Sequence, residues 1–236
     1  MCGRYSITST FEAVRKLFGL RPGVPNWWVP RYNVAPTQLA PVVRLREGER
    51  ELAQLRWGLI PFWAKDAKIG VQTINAKCET LATKPAFREA FGRRHCLVVT
   101  DGFYEWLKPE GGPKQPFRIV RKDREPFALA GLWERWRPEP GAEPLETFTV
   151  VTCPPNALCA GLHDRMPVIV DPADHGTWLA AGAGAAALLR PCPADAFEAY
   201  RVPAAVGNVR NEGPELIEPL AAPAAPAAPR DFGRLL

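Results

Sequence analysis

The sequence predicts an α+β fold rich in strands: a mostly antiparallel, curved or barrel-like sheet with peripheral helices. Three observations carry this expectation. Short β-branched and aromatic runs punctuated by Gly or Pro recur along the chain, long helical patterns are few, and 236 residues are enough to bury one sizeable core.

Each element follows from local pattern. A first helix is expected from Thr10 to Leu20, where Phe11, Val14, Leu17 and Phe18 recur at helical spacing. Thr10 is placed to cap it, and Gly19 and Pro22 stop it. Strand-like runs follow at Pro41 to Leu45, Leu52 to Trp57, Cys96 to Thr100, Phe103 to Leu107, Phe117 to Val120, Phe127 to Leu132 and Thr147 to Thr152. A second helical region is read from Pro172 to Leu189, although its Ala and Gly run packs poorly. The last stretch, Ala221 to Leu236, reads AAPAAPAAPRDFGRLL, and its Pro spacing forbids a regular helix. The expected organisation is a single domain over residues 1–220 and a flexible Ala/Pro-rich tail over 221–236.

Composition narrows the class. A hydrophobic fraction of 47% with 23% charged residues excludes a wholly disordered or fibrous chain. The formal net charge of +5 favours an anionic partner such as nucleic acid, though solvated surface alone would account for it equally well. No stretch reaches the roughly 18 apolar residues of a membrane helix, and the segment after Met1 lacks a signal-peptide core, so a cytoplasmic protein is expected. In that compartment Cys2, Cys78, Cys96, Cys153, Cys159 and Cys192 read as free thiols. Cys153, Cys159 and His163 form one loose cluster with no paired C-x-x-C, so no metal is expected.

The first residues, Met1-Cys2-Gly3-Arg4, carry the sharpest chemical signal. A small second residue permits removal of the initiator methionine, which leaves cysteine first. A terminal cysteine offers an α-amine with a pKa near 7.7 to 8.0 and a thiol near 8.5 on adjacent carbons. That pair traps an aldehyde as a five-membered thiazolidine: the amine forms a Schiff base and the thiol closes the ring. No internal cysteine can do this.

Three polar residues embedded among apolar neighbours are further candidates, each with a plain structural alternative. Asn75 lies in TINAK and could satisfy backbone in a turn. Glu105 lies between Tyr104 and Trp106, where burial would raise its pKa toward a general acid, or it could face solvent from a strand. His163 in LHDRMP could be a packed core histidine. Aromatic and basic residues interleave from Arg56 to Lys65, a composition that suits stacked bases and phosphates but is equally ordinary in a core. Arg4, Lys77, Arg88, Arg93, Arg94 and Arg165 are candidate phosphate partners.

Taken in order, these segments resemble the SOS response-associated peptidase (SRAP) family of abasic-site processing proteins. MCGR is followed by RYNVAPT (31–37), WGLIPFWAKD (57–66), INAKCET (74–80), DGFYEW (101–106), AGLWE (130–134), LHDRMPVI (162–169) and VGNVRNEGPELIEP (206–219). The resemblance spans Cys2 to Pro219. It implies a β-rich fold with a basic groove, a partner in single-stranded DNA carrying abasic sites, and a covalent thiazolidine link through Cys2 that shields the lesion during the DNA damage response. It also implies that Asn75 orients the terminal cysteine, that Glu105 serves as acid/base, and that His163 positions or protonates the sugar oxygens. Arg4, Lys77 and Arg165 would lie near phosphates, with Pro36 and Trp63 wedging the strand. No cofactor, a monomeric state and recruitment to the nucleoid after damage are expected; replication partners are not readable.

Two positions depart from the family pattern. INAR has become INAK, so Lys77 keeps the charge but loses the planar fork of Arg. The following Ser is Cys78, a near-isosteric change. Two other readings stand beside capture of abasic DNA: an N-terminal-cysteine peptidase or amidohydrolase using Cys2, Glu105 and His163, and a non-catalytic single-strand binding module.

Overall fold

The computed structural model describes residues 2–108 and 111–221. Met1, and the expected tail apart from Ala221, lie outside the described residues. The first helix, α1, spans Phe11–Phe18; the Thr10 side chain accepts from Ala13 N–H, and Gly19 ends it in the left-handed conformation. Phe11, Val14 and Phe18 form its buried face, as their spacing predicts.

Among the described residues thirteen strands follow the punctuation of the sequence. They are β1 (Tyr5–Ile7), β2 (Arg31–Val34), β3 (Leu39–Arg46), β4 (Glu49–Trp57), β5 (Asn75–Lys77), β6 (His95–Thr100), β7 (Gly102–Leu107), β8 (Gln115–Arg121), β9 (Phe127–Trp136), β10 (Leu145–Cys153), β11 (Met166–Pro167), β12 (Ile169–Val170) and β13 (Phe197–Arg201). All seven sequence-read strands are present. The β3–β4 hairpin turns on Glu47 and Gly48, both at positive φ, the two-residue geometry that matches strand twist. The strands that the pattern did not show, among them β1, β2 and β5, are too short for alternation to register.

Two sheets result, and one closes. β10 pairs with β4, β4 with β3, β3 with β6, β6 with β9, and β9 again with β10, so five strands form a ring without an edge. Every contact in the ring is antiparallel except β10 with β4. The second sheet is open, in the order β13-β8-β7-β1-β2. The fold class expected from sequence is therefore the one observed.

Where β9 and β10 diverge, the segment 166–170 fills the gap. β11 pairs with β10 and β12 with β9, while Val168 donates to Val151 O at 2.9 Å and accepts from Ala130 N–H at 2.8 Å. On the other edge of β10, beyond β4, β5 pairs in parallel at Val150 to Thr152. Both insertions satisfy backbone groups that the ring alone leaves open.

Aromatic stacking joins the two sheets. Tyr5 on β1 lies 5.1 Å from Trp57 on β4, and Trp57 stacks on Phe148 of β10 at 6.2 Å. The Trp57 indole also donates to Ile74 O at 2.9 Å, which holds the residue before β5. Gly58 follows at φ 114, where a Cβ would fall 2.5 Å from Gly70 O, so only glycine permits this turn.

The expected helix from Pro172 to Leu189 is broken into pieces. A short 3-10 turn (Pro172–Asp174) leads into a helix at His175–Leu179, and a second 3-10 turn covers Ala183–Leu188. Ala181 sits at φ 52 and is followed by Gly182, so the chain reverses where the pattern suggested continuity. Among the described residues the other α-helices are α2 (Arg88–Arg93) and α3 (Ala157–Ala160), with the His175–Leu179 segment as α4; further 3-10 turns lie between the strands and after them.

A buried ion pair locks β1 onto this frame. Asp101 accepts from the Ser6 hydroxyl at 2.7 Å, from Ser9 N–H at 2.8 Å, from Thr8 through its N–H and its hydroxyl, and from Arg118 Nη2 at 2.9 Å. Arg118 Nη1 donates to Tyr200 Oη at 2.8 Å. Gly102 lies under this guanidinium: a Cβ there would come within 2.6 Å of Arg118 Nε. Burial alone would raise the Asp101 pKa, but Arg118 and the Ser6 and Thr8 hydrogen bonds bring it below the ordinary aspartate value.

These side chains are 5% and 8% exposed, so removing one partner strands a buried charge. Asp101→Asn is expected to lower unfolding free energy by about 3 to 5 kcal/mol in urea titrations at neutral pH. Asp123→Asn, which breaks the exposed Arg121–Asp123 pair, should cost about 1 kcal/mol or less. Because the folded pKa of Asp101 is depressed, its contribution is complete above the unfolded value and is lost as pH falls through the folded one. The gap between wild type and Asp101→Asn should therefore narrow on acidification; a constant gap would show that the carboxylate charge is not what matters.

Candidate functional site

Antiparallel pairing carries the N-terminus to Glu105. Tyr5 pairs with Phe103, and Tyr104 N–H donates to Arg4 O at 2.9 Å, so the residues preceding Arg4 run toward Glu105 on β7. Cys2 is fully buried there. Asn75 arrives from the other sheet: its Nδ2 donates to Cys2 O at 2.8 Å, and its Oδ1 is buried with no partner among the described residues. Asn75 thus bridges the seam between the ring and the open sheet, from a strand and not a turn.

Glu105 is 3% exposed, which rules out a solvent-facing strand position. Burial pushes its carboxyl above the ordinary glutamate value, an effect that nearby positive charge, including that of His163, partly offsets. The same burial pushes the Cys2 thiol far above the usual thiol range, and the Glu105 charge adds to it. Cys2 in this seat is a neutral thiol.

His163 comes from the turn after α3, where its N–H donates to Cys159 O at 2.9 Å. It is half-buried, not a packed core residue. Its Nδ1 lies 3.0 Å from Arg165 N–H and 2.7 Å from the exposed Asp164 carboxylate. A neutral ring accepts from the first and a protonated ring donates to the second, so both protonation states have a partner in place.

The residues expected at DNA divide into open and committed groups. Trp63 is 48% exposed, with Phe62 exposed beside it, and Lys77 at the end of β5 is exposed. Pro36 is half-buried and precedes Thr37, a β-branched residue at φ 73. Arg4 is buried: Nη1 donates to Asn33 Oδ1 at 2.6 Å and to Val206 O at 2.7 Å, and its guanidinium lies 5.8 Å from the Trp106 ring. Arg165 is paired with Glu79. Of the other candidate cations, Arg93 pairs with Glu89 and Arg94 with Glu134, while Arg88 is exposed.

Sequence reasoning gave no role to Asp101, Arg118, Asn33 or Glu79, which position the N-terminus and the two arginines. Asp101, Asn33 and Glu79 do lie inside the quoted segments DGFYEW, RYNVAPT and INAKCET, but their partners are distant in the chain. Arg118 lies in none of those segments.

Comparison with known proteins gives the family and the fold. The SOS response associated peptidase (SRAP) family model matches residues 1–209. The abasic site processing protein YoqW of Bacillus subtilis (strain 168) is 41% identical over 223 residues, covering 92% of this chain and 99% of that protein. The abasic site processing protein YedK of Escherichia coli (strain K12) is 32% identical, covering 93% of this chain and 100% of that one. The crystal structure of a protein from Bacteroides thetaiotaomicron superposes with a TM-score of 0.83 at 26% identity, over 93% of this chain and 100% of that one. This chain belongs to the SOS response associated peptidase (SRAP) family.

Proposed function

We propose that this protein captures abasic sites in single-stranded DNA as a thiazolidine on Cys2, once Met1 has been removed, and so shields the lesion. The observation that carries the reading is the Asn75 amide holding the Cys2 carbonyl at 2.8 Å in a buried seat beside Glu105. The relatives named above, described as abasic site processing proteins, support the substrate class.

The chemistry divides among this chain's own groups. Glu105, its carboxyl raised by burial, passes a proton to the sugar ring oxygen while the anomeric hydroxyl gives up its own, as the closed sugar opens to its aldehyde. The Cys2 amine adds to the aldehyde carbon, and the resulting carbinolamine loses water to give an imine. The thiol then adds to the imine carbon while its proton passes to nitrogen, and water is the only leaving group. A thiol held neutral favours this order, amine first and sulfur second. Among the described residues Asn75 Oδ1 has no donor, and the amine exposed by Met1 removal supplies one. His163 positions the sugar oxygens and exchanges protons, with a partner ready for each state. The aminothiol and two acid–base groups account for every step, so the reaction calls for no cofactor.

The exposed Trp63 and the turn at Pro36 wedge the strand at the lesion, while Lys77 meets a phosphate; Arg165 joins it on leaving Glu79, and Arg4, held by Asn33, adds its charge from beneath the surface. An unpaired strand enters such a groove without the cost of unstacking a partner, which favours single-stranded over duplex DNA.

The test is a denaturing gel after incubation with single-stranded abasic DNA, where a heat-stable band is expected. Peptide hydrolysis without a band would instead favour an N-terminal-cysteine amidohydrolase, and salt-sensitive binding alone a passive binding module. Cys2→Ala should lose the heat-stable band yet remain trappable by borohydride, because the amine still forms an imine. Placing one residue before Cys2 should abolish the thiazolidine although the thiol persists. A stable adduct from either variant would move the nucleophile elsewhere.

Glu105→Gln should slow adduct formation by about a hundredfold or more while leaving affinity for abasic DNA nearly unchanged. Its pH profile should also lose the descending limb that the wild type shows as Glu105 gives up its proton above the ordinary glutamate range. Stability follows the same sign. The folded state holds this proton more tightly than the unfolded one, so wild type should lose stability relative to Glu105→Gln as pH rises from the ordinary glutamate value through the raised one. Parallel rates and parallel stability curves would assign Glu105 a purely structural role.

A further inference from the structure

We infer that Glu79 stands in for a DNA phosphate: its carboxylate fills the guanidinium face of Arg165, so a strand gains that cation only by displacing Glu79. This rests on the proposed capture of single-stranded DNA and specifies how its groove is gated.

The geometry is fork to fork. Arg165 Nη1 lies 2.5 Å from Glu79 Oε1 and Nη2 lies 2.9 Å from Oε2, the paired arrangement that a guanidinium also offers two phosphate oxygens. The two partners are not held alike. Arg165 Nη2 also donates to Thr152 O at 2.6 Å, and its side chain is 12% exposed, whereas the Glu79 side chain is 48% exposed. The guanidinium is anchored to the ring strand, and the carboxylate is the partner free to leave.

Lys77 marks where the phosphate would come. In the β5–β10 register it pairs with Thr152, the same residue whose carbonyl anchors Arg165. Lys77 is exposed and forms no ion pair among the described residues. Two cations therefore flank one residue of β10, one open and one filled by the protein's own anion. Glu79 lies in the 3-10 turn Cys78–Thr80 directly after Lys77, so rotation of its side chain suffices to clear the seat. Arg165 holds the Glu79 carboxyl down to about 2, so the competitor is charged at any working pH. A half-exposed pair of this kind is weak enough to be exchanged, and exchange is repaid only when a phosphate is delivered to the site. Glu79 thereby disfavours strands that touch the groove without settling at the lesion site.

The experiment measures binding of single-stranded DNA carrying a reduced abasic analogue, which cannot form an imine, by fluorescence anisotropy across a salt series. Glu79→Gln is expected to tighten binding by about two- to fivefold. The slope of log affinity against log salt should steepen by about 0.7, the increment for one further phosphate neutralised on a single strand. Glu79→Ala should give the same gain, and neither gain should survive in an Arg165→Gln background. Unchanged or weaker binding by Glu79→Gln and Glu79→Ala, with wild type still forming its adduct on reactive abasic DNA, would overturn the stand-in and leave Glu79 as a strut for Arg165. A wild type that neither binds nor links abasic DNA would overturn the proposed function itself, and the stand-in with it.

Discussion

Asp101 and the residues it gathers fix where the chain begins. A carboxylate that accepts from Ser6, Thr8 and Ser9 while paired to Arg118 holds the whole segment after β1, and β1 carries Cys2 at its N-terminal end. Termini ordinarily fray because few contacts repay the entropy of ordering them. Here the ordering energy comes from a buried ion pair several residues downstream, supported by the Tyr5–Trp57 ring contact. Cys2 is seated by the anchored residues that follow it and by the Asn75 amide on its carbonyl.

Closure of the ring supplies the other half of the site. β10 is paired along both edges beyond the ring itself, with β5 on one side and β11 on the other. Those two short strands pair β10 at neighbouring residues, and each leads to one part of the site: Asn75 begins β5, and His163 lies just before β11. Neither strand has enough residues to be stable alone; each exists because β10 offers it an unpaired backbone edge. The site is consequently a seam, with Cys2 and Glu105 belonging to the open sheet and Asn75 and His163 to the periphery of the ring.

Burial at this seam shifts the acid–base character of its groups as well as fixing their geometry. It raises both Glu105 and the Cys2 thiol, favouring neutral, proton-bearing forms, whereas at the rim the exposed Glu79 is held ionised by Arg165. The raised groups lie inside this seam and the Glu79–Arg165 pair at its rim, although they come from distant parts of the chain. Arg4 and Arg165 show how little a residue type says by itself: both are cations near the site, and both are already engaged by the protein.

The sequence by itself determined the fold class, the seven longer strands, the α1 helix with its Thr10 cap and Gly19 stop, and the identities of Cys2, Asn75, Glu105 and His163 as chemical candidates. These are local properties: periodicity, capping and residue chemistry can be read within a window of a few residues, and the ordered motifs made the family resemblance legible. Only the tertiary structure decided that β10 closes against β4, that Asn75 reaches Cys2 across 73 positions, that Pro172 to Leu189 breaks at Ala181, and that Asp101 meets Arg118. Each depends on partners far apart in the chain. A carboxylate in DGFYEW looks the same whether it will face solvent or a buried guanidinium, because the energy that distinguishes the two comes from desolvation, and desolvation exists only once the chain has folded around it.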